Sequence, residues 1–225
     1  MGNIKFYMAF IKIFKSISLI ILLSLSPSLM AGSAPIVDDL VSAFNEGDTD
    51  KVLLLINKAK GLSYQGDDLI SFIYHLWKDN DFPELRSNKL VKIDIVRINI
   101  ADFLIQANKN GLKDINKEEI RNYAHNLLAR DNFDVDVISQ TLFVLANIDN
   151  PEDIKLMAPF FNSKNDYLFR SSTLALAMMC NSIAENKLIE IEKEEQVPDR
   201  HEYIVDIQKK FKILNEYRCK STKNK

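Results

Sequence analysis

The residue types able to do chemistry are few in this chain and widely spaced. His75, His125 and His201 are its three histidines, and none shares an i, i+4 face with another His or with a Cys. The segment "HEYIV", from His201, lacks the second histidine of a helical zinc-protease motif. A metal site would have to be assembled from distant segments, and none is expected. There is no Gly-x-Ser-x-Gly elbow, and no spacing suggests a Cys–His pair. After residue 33 only Gly47, Gly61, Gly66 and Gly111 remain, so glycine loops of the phosphate-cradling kind are missing. No cofactor is expected, and no catalytic residue is assigned.

Two acidic groups are better explained by helix starts than by chemistry. "RDNFDVDV", residues 130–137, holds Asp131, Asp134 and Asp136 but lacks the turn glycine and the twelfth-position glutamate of a helix-loop-helix calcium site. Its acids suit the cap of a following helix. Glu118 and Glu119, after Asn116, suit the first turn of a capped helix, where the dipole favours acids.

Cys180 and Cys219 are the only cysteines. Residues 1–33 read as a secretory leader: Lys5, Lys12 and Lys15 precede the apolar run "SISLIILLSLSPSLM", and small residues follow at Ala31 and Ser33. The serines and Pro27 keep that run short of the roughly 18 apolar residues a spanning helix needs. Export into the periplasm, or secretion, with cleavage after Ser33 is therefore expected, with no stable membrane anchor afterwards. In an oxidising compartment the two cysteines read as one disulfide closing a loop of about 40 residues. Separate buried thiols are the competing reading. The formal charge of −2 includes three leader lysines, so the remainder stands near −5, which argues against nucleic acid as a partner.

The elements that must position these residues are helices. No Asn-Gly or Asp-Gly pair separates two alternating runs, as hairpins would require. Helices are expected over 35–45, with Gly47 beyond its end; over 49–61, capped by Thr49; and over 66–80. A loop containing Pro83 leads to residues 89–108. There "KIDIVRINI" alternates like a strand, but the run is long, and Lys92, Asn99, Asp102 and Gln106 fall on one polar helical face.

From Asn116 onward the chain repeats. Shifted by 34 residues, "NKEEI" lies over "NPEDI", Phe133 over Tyr167, Leu142 over Leu176, and Ala146 over Cys180. "LIQAN", ending at Asn108, precedes "VLANI" by about 39 residues, and Asn108, Asn147 and Asn181 are expected to close helices in the left-handed conformation that Asn tolerates. Asn150 and Pro151 open the next helix, in which Pro159 is expected to cause a bend or an early end. A period of 34 to 39 residues with two helices each is the pattern of an α-solenoid.

"NPEDIKLMAPFFNSKNDYLFRSSTLALAMM" resembles a HEAT-type repeat: Pro151 near the first helix, Asp166 in the short loop, then Phe169-Arg170 before an Ala/Leu-rich run. Val96-Arg97 matches that pair in the earlier unit, while Asp136 departs from it. The resemblance covers residues 89–182. It implies an all-α superhelix of paired antiparallel helices, HEAT/armadillo-like, over residues 34–182. Residues 183–219 form a helical C-terminal cap, and 220–225 a basic flexible tail. Arg97, Asp136 and Arg170 share one phase in three successive units. They form either a partner-facing polar strip or a ladder holding the units in register, and the ladder is favoured. The function expected is an exported, non-enzymatic protein-interaction module. A periplasmic immunity or inhibitor protein directed at a toxin is the alternative, and an enzyme with a dispersed site the least favoured.

Overall fold

Ten α-helices and one short 3-10 turn make up the described residues of a computed structural model: 33–62, 67–78, 93–109, 115–130 and 134–223. No strand occurs among them. The expected leader, apart from Ser33, the Pro83 loop and Asp131 lie outside these residues. No helix among them is long and apolar enough to cross a membrane. The chain divides between Leu112 and Lys113 into two units, each taken by itself.

In the first unit, α1 (Ser33–Glu46) stops because Gly47 takes a left-handed φ of 71°. Asp48 then donates its N–H to Ala43 O and Gly47 to Phe44 O, the two bonds of a Schellman closure. Helix α2 (Thr49–Leu62) is capped by Asp48, whose Oδ1 accepts from Lys51 N at 2.9 Å, rather than by Thr49. Helices α3 (Asp67–Lys78) and α4 (Ile93–Lys109) complete the unit. Helix α1 packs on α2 and α3, and α4 packs on the same two, so the four close a ring. Leu40, Ile56, Ile73, Trp77 and Phe103 are buried within it.

The strand-like alternation of "KIDIVRINI" is resolved as helix. Most of α4 is buried, including the whole run from Ile98 to Ile105, which is why its sequence shows no single apolar stripe. Of the polar face expected there, Asn99 and Asp102 are buried and Gln106 is half-buried, while Lys92 lies outside the described residues. Asp102 accepts from Lys60 Nζ of α2 at 2.7 Å and from Gln106 Nε2 at 2.9 Å, while Asn99 Nδ2 bonds back to Ile95 O. A buried carboxylate persists only when paired, so this contact sets how α2 meets α4.

The second unit contains α5 (Lys117–Leu128), α6 (Val135–Ile148), the 3-10 turn Pro151–Asp153 running into α7 (Ile154–Phe161), α8 (Asp166–Met178), α9 (Ser182–Glu194) and α10 (Pro198–Lys223). An Asn or Asp opens each helical segment from α5 to α9: Asn116, Asp134, Asn150, Asn165 and Asn181 accept backbone N–H bonds from residues two or three positions on. Helix α7 carries Pro159 internally and ends two residues later. Consecutive helices pair as α5 with α6, α7 with α8, and α9 with α10; α8 also packs on α6, α9 and α10.

That central position explains the composition of α8. Ser171, Ser172 and Thr173 are buried, and their small side chains let neighbouring backbones approach. Their hydroxyls are satisfied at home or next door: Ser172 and Thr173 donate to Phe169 O, and Ser171 receives Ser139 Oγ of α6 at 2.8 Å.

Three expectations need correction. Asn108 and Asn147 do not close helices, since α4 runs to Lys109 and α6 to Ile148. Asn181 opens a helix, and the left-handed residue is Asp149, φ 64°. The tail from Lys220 is not separate, since α10 continues through Lys223.

Candidate functional site

Among the described residues of the second unit, one group of ionisable side chains surrounds Asp153. The turn that Asn150 and Pro151 initiate points Asp153 inward, where it is completely buried. Arg121 and His125 lie one turn apart on α5 and therefore reach the same point. Arg121 Nε donates to Asp153 Oδ1 at 2.8 Å, and His125 Nε2 lies 2.9 Å from that oxygen. Arg121 also reaches Glu118 and Glu152 at 3.3 Å, both exposed. The hydrogen bond to Asp153 holds the guanidinium proton well above its ordinary value, against the opposing effect of burial. Asp153 Oδ2 is buried and accepts no hydrogen bond among the described residues.

A carboxylate that orients an imidazole is also found where His acts as a general base. Here the same oxygen serves a guanidinium, and among the described residues no hydroxyl or thiol hydrogen-bonds His125. What the geometry performs is neutralisation: a buried acid on the turn before α7 is held by two donors on α5. The other histidines are elsewhere, His75 exposed on α3 and His201 exposed, with Nδ1 3.1 Å from Glu192 O. No three His, Cys, Asp or Glu side chains converge on a possible metal position among the described residues.

The phase-related trio occupies three different environments. Arg97 stacks over the buried Trp77 ring, 4.9 Å to its centroid, inside the first unit. Asp136 is exposed at the start of α6 and bears on the Tyr167 phenol, as does Ser139. Burial raises the Tyr167 pKa most; the Ser139 hydrogen bond opposes that rise and Asp136 adds to it. Arg170 binds Asp166 at 2.7 Å and stacks over Tyr203 of α10 at 4.7 Å. Asp166 also receives Arg200 Nε at 3.1 Å, Arg200 lies over Phe169 at 4.3 Å, and Tyr203 donates its hydroxyl to Arg170 O at 3.2 Å. Burial pushes the Tyr203 phenol well above the usual range, with Arg170 pulling the other way.

Near the end of α8 lies the disulfide. Cys180 and Cys219 are bonded, with Cα atoms 5.5 Å apart. Asp149 Oδ1 accepts from Cys180 N at 2.9 Å and Asn181 Nδ2 at 2.8 Å, so one carboxylate fixes the backbone beside the bridge. Asn215 Nδ2 donates to Ala177 O at 2.9 Å and ties α10 to the same region.

These ties share one arithmetic. Arg121 to Asp153 spans 32 residues, Ser139 to Ser171 32, Asp149 to Asn181 32, Asp166 to Arg200 34, Arg170 to Tyr203 33, Ala177 to Asn215 38, and Cys180 to Cys219 39. Six of them join one helical pair to the next, and Asp149–Asn181 joins the end of α6 to the start of α9. Asp153 and Asp149 escaped the sequence reading because single acids beside helix starts look like dipole partners. The available signal was their spacing from Arg121 and Asn181, close to the repeat period.

Compared with known protein families, curated proteins and solved structures, the chain matches none.

Proposed function

We propose that this chain is an exported protein-interaction module without catalysis of its own. In residues 113–225 it is built as a stack of antiparallel helical hairpins of the HEAT/armadillo kind. The observation that carries this reading is the recurring span of the ties: apart from His125–Asp153 at 28 residues, they recur at 31 to 39, close to the 34 to 39 by which the sequence itself repeats. The packing of α6 and α10 on α8 supports it, since second helices stack on one another in such arrays. Export rests on the leader pattern of residues 1–33 and agrees with the Cys180–Cys219 bridge.

On this reading the partner meets the second helices. Asp136, Gln140 and Phe143 recur at i, i+4 and i+7 on α6 and all reach solvent. Photocrosslinkers placed at Gln140 and Phe143, with Lys155 of α7 as the opposite-face control, test the proposal in the native envelope fraction. A discrete adduct from the α6 positions is expected. Adducts confined to Lys155, or none at any position, would sink it.

A further inference from the structure

The charge of the chain is unevenly distributed. Residues 209–225 hold seven Lys and Arg against one Glu, whereas residues 34–208 hold 30 acids against 19 Lys and Arg. Most of the basic segment lies in the second half of α10, which runs to Lys223. Its orientation is set by two ties on one side of the helix, Asn215 to Ala177 O and Cys219 to Cys180. The solvent side presents Lys209 and Ile213, flanked by Lys210, Lys212, Leu214 and Glu216, all exposed, with Lys210 paired to Asp206 at 2.6 Å. Ile213 is 63% exposed among these lysines.

We propose that this face of α10 docks reversibly on an anionic phospholipid surface. Three features select that occupant. The cations are six lysines and one arginine; lysine is a mobile point charge suited to a diffuse headgroup field, and it is depleted in protein–protein interface cores. Ile213 and Leu214 gain from contact with acyl chains and nothing from a nucleic-acid backbone. Apolar and basic residues alternate around this half of the helix, so attachment is electrostatic and shallow, and salt weakens it. The acidic remainder is repelled by the same surface, so only the end of α10 makes contact.

The test is flotation of the full chain with vesicles of phosphatidylcholine alone or mixed with phosphatidylglycerol, at low and high salt, beside the K209Q/K210Q/K212Q variant. Any contribution from the leader is common to both proteins and cancels in the comparison. The parent is expected to bind the mixed vesicles at low salt and to release at high salt. The variant, with an unchanged circular dichroism spectrum, is expected to bind about a hundredfold more weakly, the effect of three basic residues at the headgroups. Equal binding of parent and variant would overturn the proposal. So would indifference of the parent to phosphatidylglycerol, including the case in which it retains duplex DNA through the same lysines.

Discussion

Asp149 holds Asn181, 32 residues further on, by a 2.8 Å hydrogen bond to the Asn side-chain amide, while its own backbone sits in the left-handed region at φ 64°. The same oxygen accepts the Cys180 N–H, so one residue ends α6, steadies the cap of α9 and fixes the backbone of a bridged cysteine. Two properties are thus required at once: tolerance of positive φ and a carboxylate or amide oxygen.

A three-member series separates them. Asp149→Asn keeps both and is expected to cost under about 1 kcal/mol. Asp149→Gly keeps the backbone but loses the acceptor and costs about 2 kcal/mol. Asp149→Ala loses both and costs about 3 kcal/mol. Urea denaturation midpoints give the order, and an alanine variant as stable as the asparagine one contradicts the assignment.

Removing the partner of Asp153 is expected to be severe. Arg121→Met leaves a wholly buried carboxylate with His125 as its remaining donor, at a cost of about 3–5 kcal/mol. Replacing both in R121M/D153L takes away the unpaired charge as well and restores most of that loss. A double-mutant cycle by chemical denaturation measures the coupling; additive losses would show that the pair does not act as one.

Tyr203 governs an alkaline loss of stability. Its phenol is raised above the ordinary 10.0 by burial, so the folded state favours the neutral form. Stability from this group is fully present below pH 10 and is lost as pH climbs through the higher folded-state value. Tyr203→Phe removes this component while losing about 1 kcal/mol from the bond to Arg170 O. Melting temperatures between neutral pH and pH 11 are expected to fall more steeply for the parent than for the phenylalanine variant.

The bridge between Cys180 and Cys219 closes a span of 39 residues. Replacing both cysteines by serine is expected to cost about 4 kcal/mol through the freedom returned to the unfolded chain. Hydrogen exchange is expected to quicken first in the second half of α10, where Asn215 remains to hold the helix to the end of α8. Exchange rates there that match the parent would show that side-chain packing suffices.

Much of this protein is decided within a few residues of chain. The helix starts at Asn116 and Asn150, the stop at Gly47 and the opening of α10 at Pro198 are local events of capping and backbone freedom, and the sequence alone determines them. The all-helical class follows, as do the cysteine pairing and the period of the repeat. Only the tertiary structure decides which helical faces meet. The polar side of α4 looks solvent-facing until Lys60, 42 residues earlier, is placed against Asp102. Asp136 and Arg170 share a phase, yet the aromatic partners seen beside them, Tyr167 and Tyr203, come from the next helical pair. A cap is satisfied by the next three peptide groups; a buried charge is satisfied only by whichever residue the packing brings to it.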